Sequence, residues 1–300
     1  MLFFQERAVD TAHIHQNRFS FEFENFAPDG LYYFKTGDNF HYVYLEKGDS
    51  LSISANTYDF DNSITCSGRG SSVNNFINEM GRKFAKEQGF YEKLYTLPAV
   101  PFYHKVDSVY QECLRSYKTF LKKNPHLSEK AKKVAKASFF FDAHKPLEMY
   151  LLKYHGNRTV KGKVTHRVLP KYFYNFRKEI KYNDMDLSFY TPYHQYLVQY
   201  VNNEAYSNSL GTQKKNFKQE NVLWFQIEKL KVIDSVFSQN VIRDNQMRNA
   251  SFSYLLSANS QDYNRIYMRE LEPLIEHNAY TSKKLSSFTK RFSILKKESP

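Results

Sequence analysis

Cysteine is almost missing: Cys66 and Cys113 are the two in 300 residues. Two thiols exclude a disulfide-stapled scaffold and a four-thiolate zinc site. The 46 residues between them exclude the Cys-x-x-Cys spacing that lets one redox thiol resolve another. Glycine (10) and proline (9) are scarce too, each about 3% where ~7% and ~5% are usual. Few breakers argue for long regular elements, mostly helices, rather than a turn-rich all-β chain. No apolar stretch approaches the ~18 residues a membrane span needs, so no span is expected in this segment. The opening Met1-Leu2-Phe3-Phe4-Gln5-Glu6-Arg7 shows neither the charged head nor the small-residue cleavage site of a secretory leader.

Rings and positive charge are abundant. Phe (26) and Tyr (24) dominate the apolar complement, and the formal charge is +12. That charge is uneven: residues 1–80 hold five basic against eleven acidic side chains, a net of −6, and residues 81–300 hold 38 against 20, a net of +18. The switch coincides with a change of period, which marks a domain boundary. We therefore expect an α+β chain, with an antiparallel β domain over 1–70, an incomplete sandwich, followed by a larger all-α array over 71–300.

Before residue 70 the period is two. Leu2–Arg7 reads as a strand. Phe19, Phe21 and Phe23 alternate with Ser20, Glu22 and Glu24, giving one aromatic and one wet face. Phe40, Tyr42 and Tyr44 suit a strand buried on both faces. Glu46-Lys47-Gly48-Asp49-Ser50 reads as a hairpin turn into Leu51–Ser54.

After Gly70 the period is helical. Ser71 or Ser72 caps a helix carrying Phe76, Met80 and Phe84, with Gly89 as its stop. Val106, Val109, Tyr110, Cys113, Tyr117 and Phe120 form one stripe, ended by Asn124-Pro125. Ser128 caps a helix towards Tyr154, kinked at Pro146 and closed by Gly156-Asn157. Residues 157–190 show no clear period. Pro192 suits the first turn of a helix bearing Tyr193, Tyr196, Leu197 and Tyr200. Further helices are expected near 218–237, 241–257, 261–276 and 282–296.

Several motifs invite chemistry. Ser67-Gly68-Arg69-Gly70-Ser71-Ser72 is a glycine-rich turn into a helix, whose free N–H groups together with Arg69 suit an anion. It lacks the Gly-Lys-[Ser/Thr] of a Walker loop, and Val73 stands where the dinucleotide fingerprint needs glycine. A strand-to-helix turn is expected instead. Asp59, Asp61 and Ser63 match the first ligands of a calcium loop, but Ile64 and Gly70 replace its essential Gly and Glu. His13 and His15 lie on one face of an extended segment, without an assured third zinc ligand. Cys66 falls at a strand end, and Cys113 sits in the apolar stripe as a small hydrophobe.

Basic side chains cluster at Lys130, Lys132, Lys133 and Lys136, and at Lys161, Lys163, Arg167 and Lys171 before Tyr172-Phe173-Tyr174-Asn175-Phe176-Arg177-Lys178. Rings between cations stack bases and neutralise phosphates in nucleic-acid binders. No RRM signature, KH loop or zinc finger accompanies them, and rings are dense everywhere, so solvated faces and no nucleic-acid partner are expected. No catalytic, cofactor-binding or metal-binding residue is assigned, and no cofactor is expected.

Tyr42–Ile53 and Phe60–Phe76, with their Gly48-Asp49-Ser50-Leu51 turn and their Ser67-Gly68-Arg69-Gly70 junction followed by Asn74-Asn75, together resemble a known pattern. It is the region preceding the thioredoxin domain in TlpA-like thiol-disulfide oxidoreductases of Bacteroidetes-type cell envelopes. Physically, Gly48 permits the turn and Asn74 or Asn75 bonds backbone near the helix start. Lys296-Lys297-Glu298-Ser299-Pro300 resembles the linker before that domain. The family's Cys-x-x-Cys, its lipoprotein-type signal and its first strands are missing, so the resemblance implies a fragment with no catalytic residue to carry over. It further implies a periplasmic or envelope location. The expected role is non-catalytic, a scaffold that docks the thioredoxin-like domain or an envelope partner. Two other classes stand beside it: a basic helical nucleic-acid binder, and a β module that binds glycans or peptides through Tyr32, Tyr33 and Tyr42.

Overall fold

The computed structural model describes residues 13, 15–22, 29–36, 39–56, 58–154, 159–160, 163–164, 169–209, 218–257 and 260–276. It is an α+β chain in which a small antiparallel strand region precedes a larger array of helices. The expected strands at Leu2–Arg7 and helix at 282–296, with the Gly156-Asn157 stop, lie outside the described residues.

The strands form separate two-stranded ladders. β1 (Gly30–Thr36) pairs with β2 (Asn39–Leu45), and β3 (Ser50–Ser54) with β4 (Thr65–Arg69), both antiparallel. A four-residue helix, α1 (Phe60–Ser63), links the second pair. The turn at Gly48 forms as expected: the Asp49 N–H donates to the Glu46 carbonyl at 3.0 Å, and Gly48 has φ +87°. It makes no hairpin, because β2 and β3 do not pair. The edge of β2 is taken by a side chain: Tyr44 N–H donates to Asn74 Oδ1 at 2.8 Å, and Asn74 Nδ2 donates to the Tyr44 carbonyl at 2.8 Å. Asn75 does the same for β4, bonding Cys66 N–H at 2.9 Å and its carbonyl at 2.7 Å.

Two other strand expectations change. Phe19 and Phe21 lie outside any strand and are exposed, their rings edge-to-face at 5.6 Å; Phe23 is not among the described residues. Alternation cannot supply a partner strand, and here Gln16 and Asn17, both at positive φ, turn the chain tightly between bridged His15 and Arg18. In β2, Val43 and Tyr44 are buried but Phe40 is half exposed, so only the far end is covered on both faces.

The long helices follow the apolar period. α2 (Ser71–Leu94) buries Val73, Phe76, Ile77, Met80 and Phe84. It runs through Gly89 instead of stopping there, since one mid-helix glycine costs only about 1 kcal/mol and buried Tyr91 and Leu94 hold the last turn. α3 (Ala99–Lys123) carries the expected stripe. α4 (Glu129–Lys153) begins where Ser128 Oγ accepts the Ala131 N–H at 2.9 Å, and it continues across Pro146. Beyond a two-residue ladder of β5 (Thr159–Val160) and β6 (Lys163–Val164), the stretch without a clear period holds 3-10 turns at Asn175–Glu179 and Met185–Leu187. Then come α5 (Thr191–Ser209), α6 (Lys218–Val236), α7 (Val241–Ser257) and α8 (Gln261–Ile275).

Compact units cut the chain elsewhere than at residue 70. One comprises Phe4–Lys93 with Asp107–Ala143; the other comprises Met1–Phe3, Leu94–Val106 and His144–Pro300. In the first, the Phe76 ring stacks on Phe120 at 4.5 Å and meets Tyr117 and Phe139 at 6.1 and 6.5 Å. In the second, Phe102 lies between Tyr95 and Tyr150 at 5.2 and 4.6 Å, and Tyr150 reaches Phe173. Buried phenols end on backbone: Tyr150 donates to the Leu97 carbonyl and Tyr193 to that of Lys181. In these two the ring fills the interior while the hydroxyl stays hydrogen bonded.

Candidate functional site

The glycine-rich turn is a joint between β4 and α2. Gly68 has φ +88°, and a Cβ there would lie 2.2 Å from the Ser50 carbonyl oxygen; at Gly70, φ +92°, it would lie 2.6 Å from the Asp49 carboxylate. The anion beside this helix start is thus the chain's own. Burial raises the Asp49 pKa, while its hydrogen bond from the Glu46 N–H and the charge of Arg69 oppose the rise. Asn74 Nδ2 also donates to the Gly70 carbonyl at 2.9 Å.

The calcium-like residues serve local bonds. Asp59 accepts from Asn62 at 2.8 Å, and Ser63 Oγ accepts the Asn56 N–H at 2.7 Å. His13 and His15 are exposed. Among the described residues, no three His, Cys, Asp or Glu side chains gather as metal ligands.

Cys66 has company the spacing did not announce. The Asn78 amide interacts with both its thiol and the His41 ring, too loosely for either amide atom to be properly hydrogen bonded. Cysteine, histidine and asparagine are the residue types of a cysteine nucleophile, but there the imidazole touches the thiol and the amide orients the imidazole. Here the amide stands in the middle. Burial raises the thiol pKa and lowers that of the imidazole, so both groups are held neutral rather than as an ion pair. Cys113 is buried as well, its thiol pushed up to about 11 by burial. Both cysteines are free thiols.

The basic run on α4 is engaged within the chain. Lys130 Nζ donates to the Asp29 carbonyl, Lys132 pairs with Glu129 at 2.7 Å, and Lys136 lies over the Phe140 ring. Of the interleaved segment, Phe173 is fully buried, Phe176 stacks on His144 at 4.4 Å, and Tyr172 is exposed. Lys161 and Arg167 lie outside the described residues.

The densest polar cluster centres on a residue the sequence did not single out. Glu148 on α4 is fully buried. It accepts Arg177 Nε and Nη2 at 2.9 and 2.6 Å, Tyr196 Oη at 2.8 Å and Asn203 Nδ2 at 2.7 Å. Arg177 also donates to Glu204 at 2.7 Å and lies over the Tyr174 and Tyr200 rings at 4.0 and 4.8 Å. Burial alone disfavours the guanidinium charge, yet the Glu148 bonds and the Glu148 and Glu204 charges outweigh it and raise its pKa well above the ordinary value. Burial likewise raises the Tyr196 and Tyr182 phenols. This knot ties α4, the 3-10 turn and α5 together, with its carboxylate fully spent. A clue existed in the spacing: Glu148 continues the buried face of Phe141 and His144 at helical intervals.

Two further buried groups also went unnoticed. His194 donates from Nε2 to the Ser188 carbonyl and accepts from Gln246 at Nδ1, and burial takes its pKa down to about 4. Lys229 on α6, 8% exposed, has the Phe225 ring 5.9 Å away, and burial alone takes its pKa down to about 8. Among the described helices none is long and apolar enough to cross a membrane. Compared with family models, with curated proteins and with solved structures, the chain matches none.

Proposed function

We propose that this chain is a non-catalytic scaffold and docking region of an envelope thiol-disulfide oxidoreductase of the TlpA-like kind. One observation carries the non-catalytic part: both thiols are buried, unbonded to each other and held protonated, whereas a reactive cysteine needs its pKa lowered. The residues behind the resemblance support a structural role. Gly48, Gly68, Gly70 and Asn74 all meet at the junction of the ladders with α2. A thioredoxin-like domain is the expected neighbour, and its cysteines would supply the redox chemistry.

Insulin reduction and gene sequence test this reading. The chain is expected to reduce insulin no faster than buffer, with no change on replacing Cys66 and Cys113 by serine. The gene is expected to encode a Cys-x-x-Cys within about a hundred codons after Pro300, one domain length. Reduction that disappears with Cys66→Ser, or a reading frame with no such motif, overturns it.

One observation favours a second reading, a β face for glycans or peptides. Tyr33, Phe40 and Tyr42 meet edge-to-face at 5.7 to 6.4 Å on the β1–β2 ladder, with Phe40 half exposed. Ring-current shifts of these residues on titrating oligosaccharides or peptides decide it; unchanged spectra remove it.

A further inference from the structure

The edges of the small ladders are not treated alike. Side-chain amides of Asn74 and Asn75 fill the edges of β2 and β4. Among the described strands, β3 pairs with β4 on one side alone. Because the Cys66 N–H and C=O point to Asn75, the Ile53–Cys66 pair is one whose backbone groups face away from each other. By the two-residue alternation of a ladder, the N–H and C=O of Leu51 and of Ile53 therefore face outward from β3. Among the described residues no other bond reaches them.

Natural edge strands are blunted by lysine, proline, a bulge or a covering element. Ser50-Leu51-Ser52-Ile53-Ser54 has no charge and no proline. Its serines are exposed on one face, and Leu51 and Ile53 are half buried on the other.

We propose that β3 is a self-association edge, pairing antiparallel with β3 of a second copy about a two-fold axis at Ser52. The strand reads nearly the same in both directions, and that symmetry selects this partner. With Ser52 on the axis, Leu51 of one copy stands opposite Ile53 of the other. Those are the residues whose outward groups are free, so each such pair exchanges both of its hydrogen bonds and none is left over. The apolar side chains of both copies then share one face and the serines the other. A two-fold closes the contact, so the assembly stops at a dimer. Five residues bury less than the ~1,200–2,000 Å² of a stable interface, so a weak dimer is expected, dissociating on the order of tens of micromolar.

Sedimentation of the full chain from about 1 to 500 μM tests this, in the range set by that weak affinity. Ser52→Lys and Ser52→Asp place like charges face to face on the axis, and Ser52 is exposed, so folding (checked by circular dichroism) should be unchanged. Wild type is expected to dimerise with rising concentration and each variant to stay monomeric. An equimolar mixture of the two variants should associate again, roughly tenfold more tightly than either alone. Ile53→Pro, which deletes an outward N–H and no ladder bond, is expected to abolish pairing too. The proposal is overturned by a wild type that stays monomeric throughout, by a dimer indifferent to Ser52→Lys, or by a mixture that fails to reassociate. It is equally overturned if an extended peptide binds this edge while the chain itself remains monomeric.

Discussion

Asn74 and Asn75 are neighbours on α2 that grip different strands, the first holding the Tyr44 backbone of β2 and the second the Cys66 backbone of β4. A side-chain amide carries donor and acceptor on one plane, so it satisfies an edge residue as another strand would. Aspartate keeps the shape and loses the donor. Asn74→Asp is expected to cost about 2–4 kcal/mol, because Asn74 is fully buried and donates to two carbonyls. Asn75→Asp, half exposed, should cost nearer 1 kcal/mol. Urea unfolding at pH 7 measures both; equal costs would mean the clasps are not what the burial implies.

Glycines divide by backbone conformation. Gly68→Ala drives a Cβ into the Ser50 carbonyl, which is backbone and cannot step aside, while Gly70→Ala meets the more yielding Asp49 side chain. Both carry positive φ and should lose stability, Gly68→Ala by more, beyond about 2 kcal/mol. Gly81 and Gly89 lie inside α2 with open space around them, so alanine at each should raise stability by about 0.5–1 kcal/mol. Thermal midpoints of the four variants decide whether the pattern holds.

The Glu148–Arg177 pair predicts a non-additive cycle. Removing one partner strands a buried charge, so Glu148→Met or Arg177→Met alone should cost about 3–5 kcal/mol. The double variant should cost far less than the sum. Arg177→Lys should rescue little, because an ammonium cannot reproduce the two-pronged contact with Glu148 and the bond to Glu204. Denaturant unfolding of the four proteins reads the coupling directly.

The helical half was legible because period and boundary residues agree. Pro192 opens α5 with Tyr193, Tyr196 and Leu197 inside, and α6, α7 and α8 end within a residue or so of their apolar pattern. Strand partners were not legible. Alternation says that a segment such as Phe19–Phe23 has two faces, but pairing depends on what lies beside it, and Asn74 took the β2 edge that a hairpin at the Gly48 turn would have paired. Glu148, His194 and Lys229 were hidden for the opposite reason: their significance is burial among residues far away in the chain. Of the motifs that looked chemical, the glycine-rich turn became the junction, and its anion turned out to be Asp49.

His194 sets an acid limb. Its folded pKa is about 4, against about 6.5 when unfolded, so the unfolded chain takes up the proton first as pH falls. The stability is whole above about 6.5 and is lost down to about 4, a change of about 3 kcal/mol. His41, lowered by burial, acts in the same direction. His194→Gln should therefore flatten the slope of unfolding free energy between pH 7 and 5, whatever it does to stability at pH 7. An unchanged slope would place the acid sensitivity elsewhere.

Lys229 acts in a different window. Its side chain is buried, and its folded pKa is about 8, against about 10.4 unfolded. Below pH 8 both states are charged and the fold bears the full cost of hiding the ammonium, about 3 kcal/mol; as pH rises towards 10.4 that cost disappears. An apolar side chain of similar length removes it at once. Lys229→Met is expected to be more stable than wild type at pH 7 by about 2–3 kcal/mol, and the two proteins should converge between pH 8 and 10.5. Paired urea titrations at pH 7, 9 and 10.5 measure the difference. A variant less stable than wild type by the same amount at every pH would mean that the amine contributes a contact that outweighs its burial.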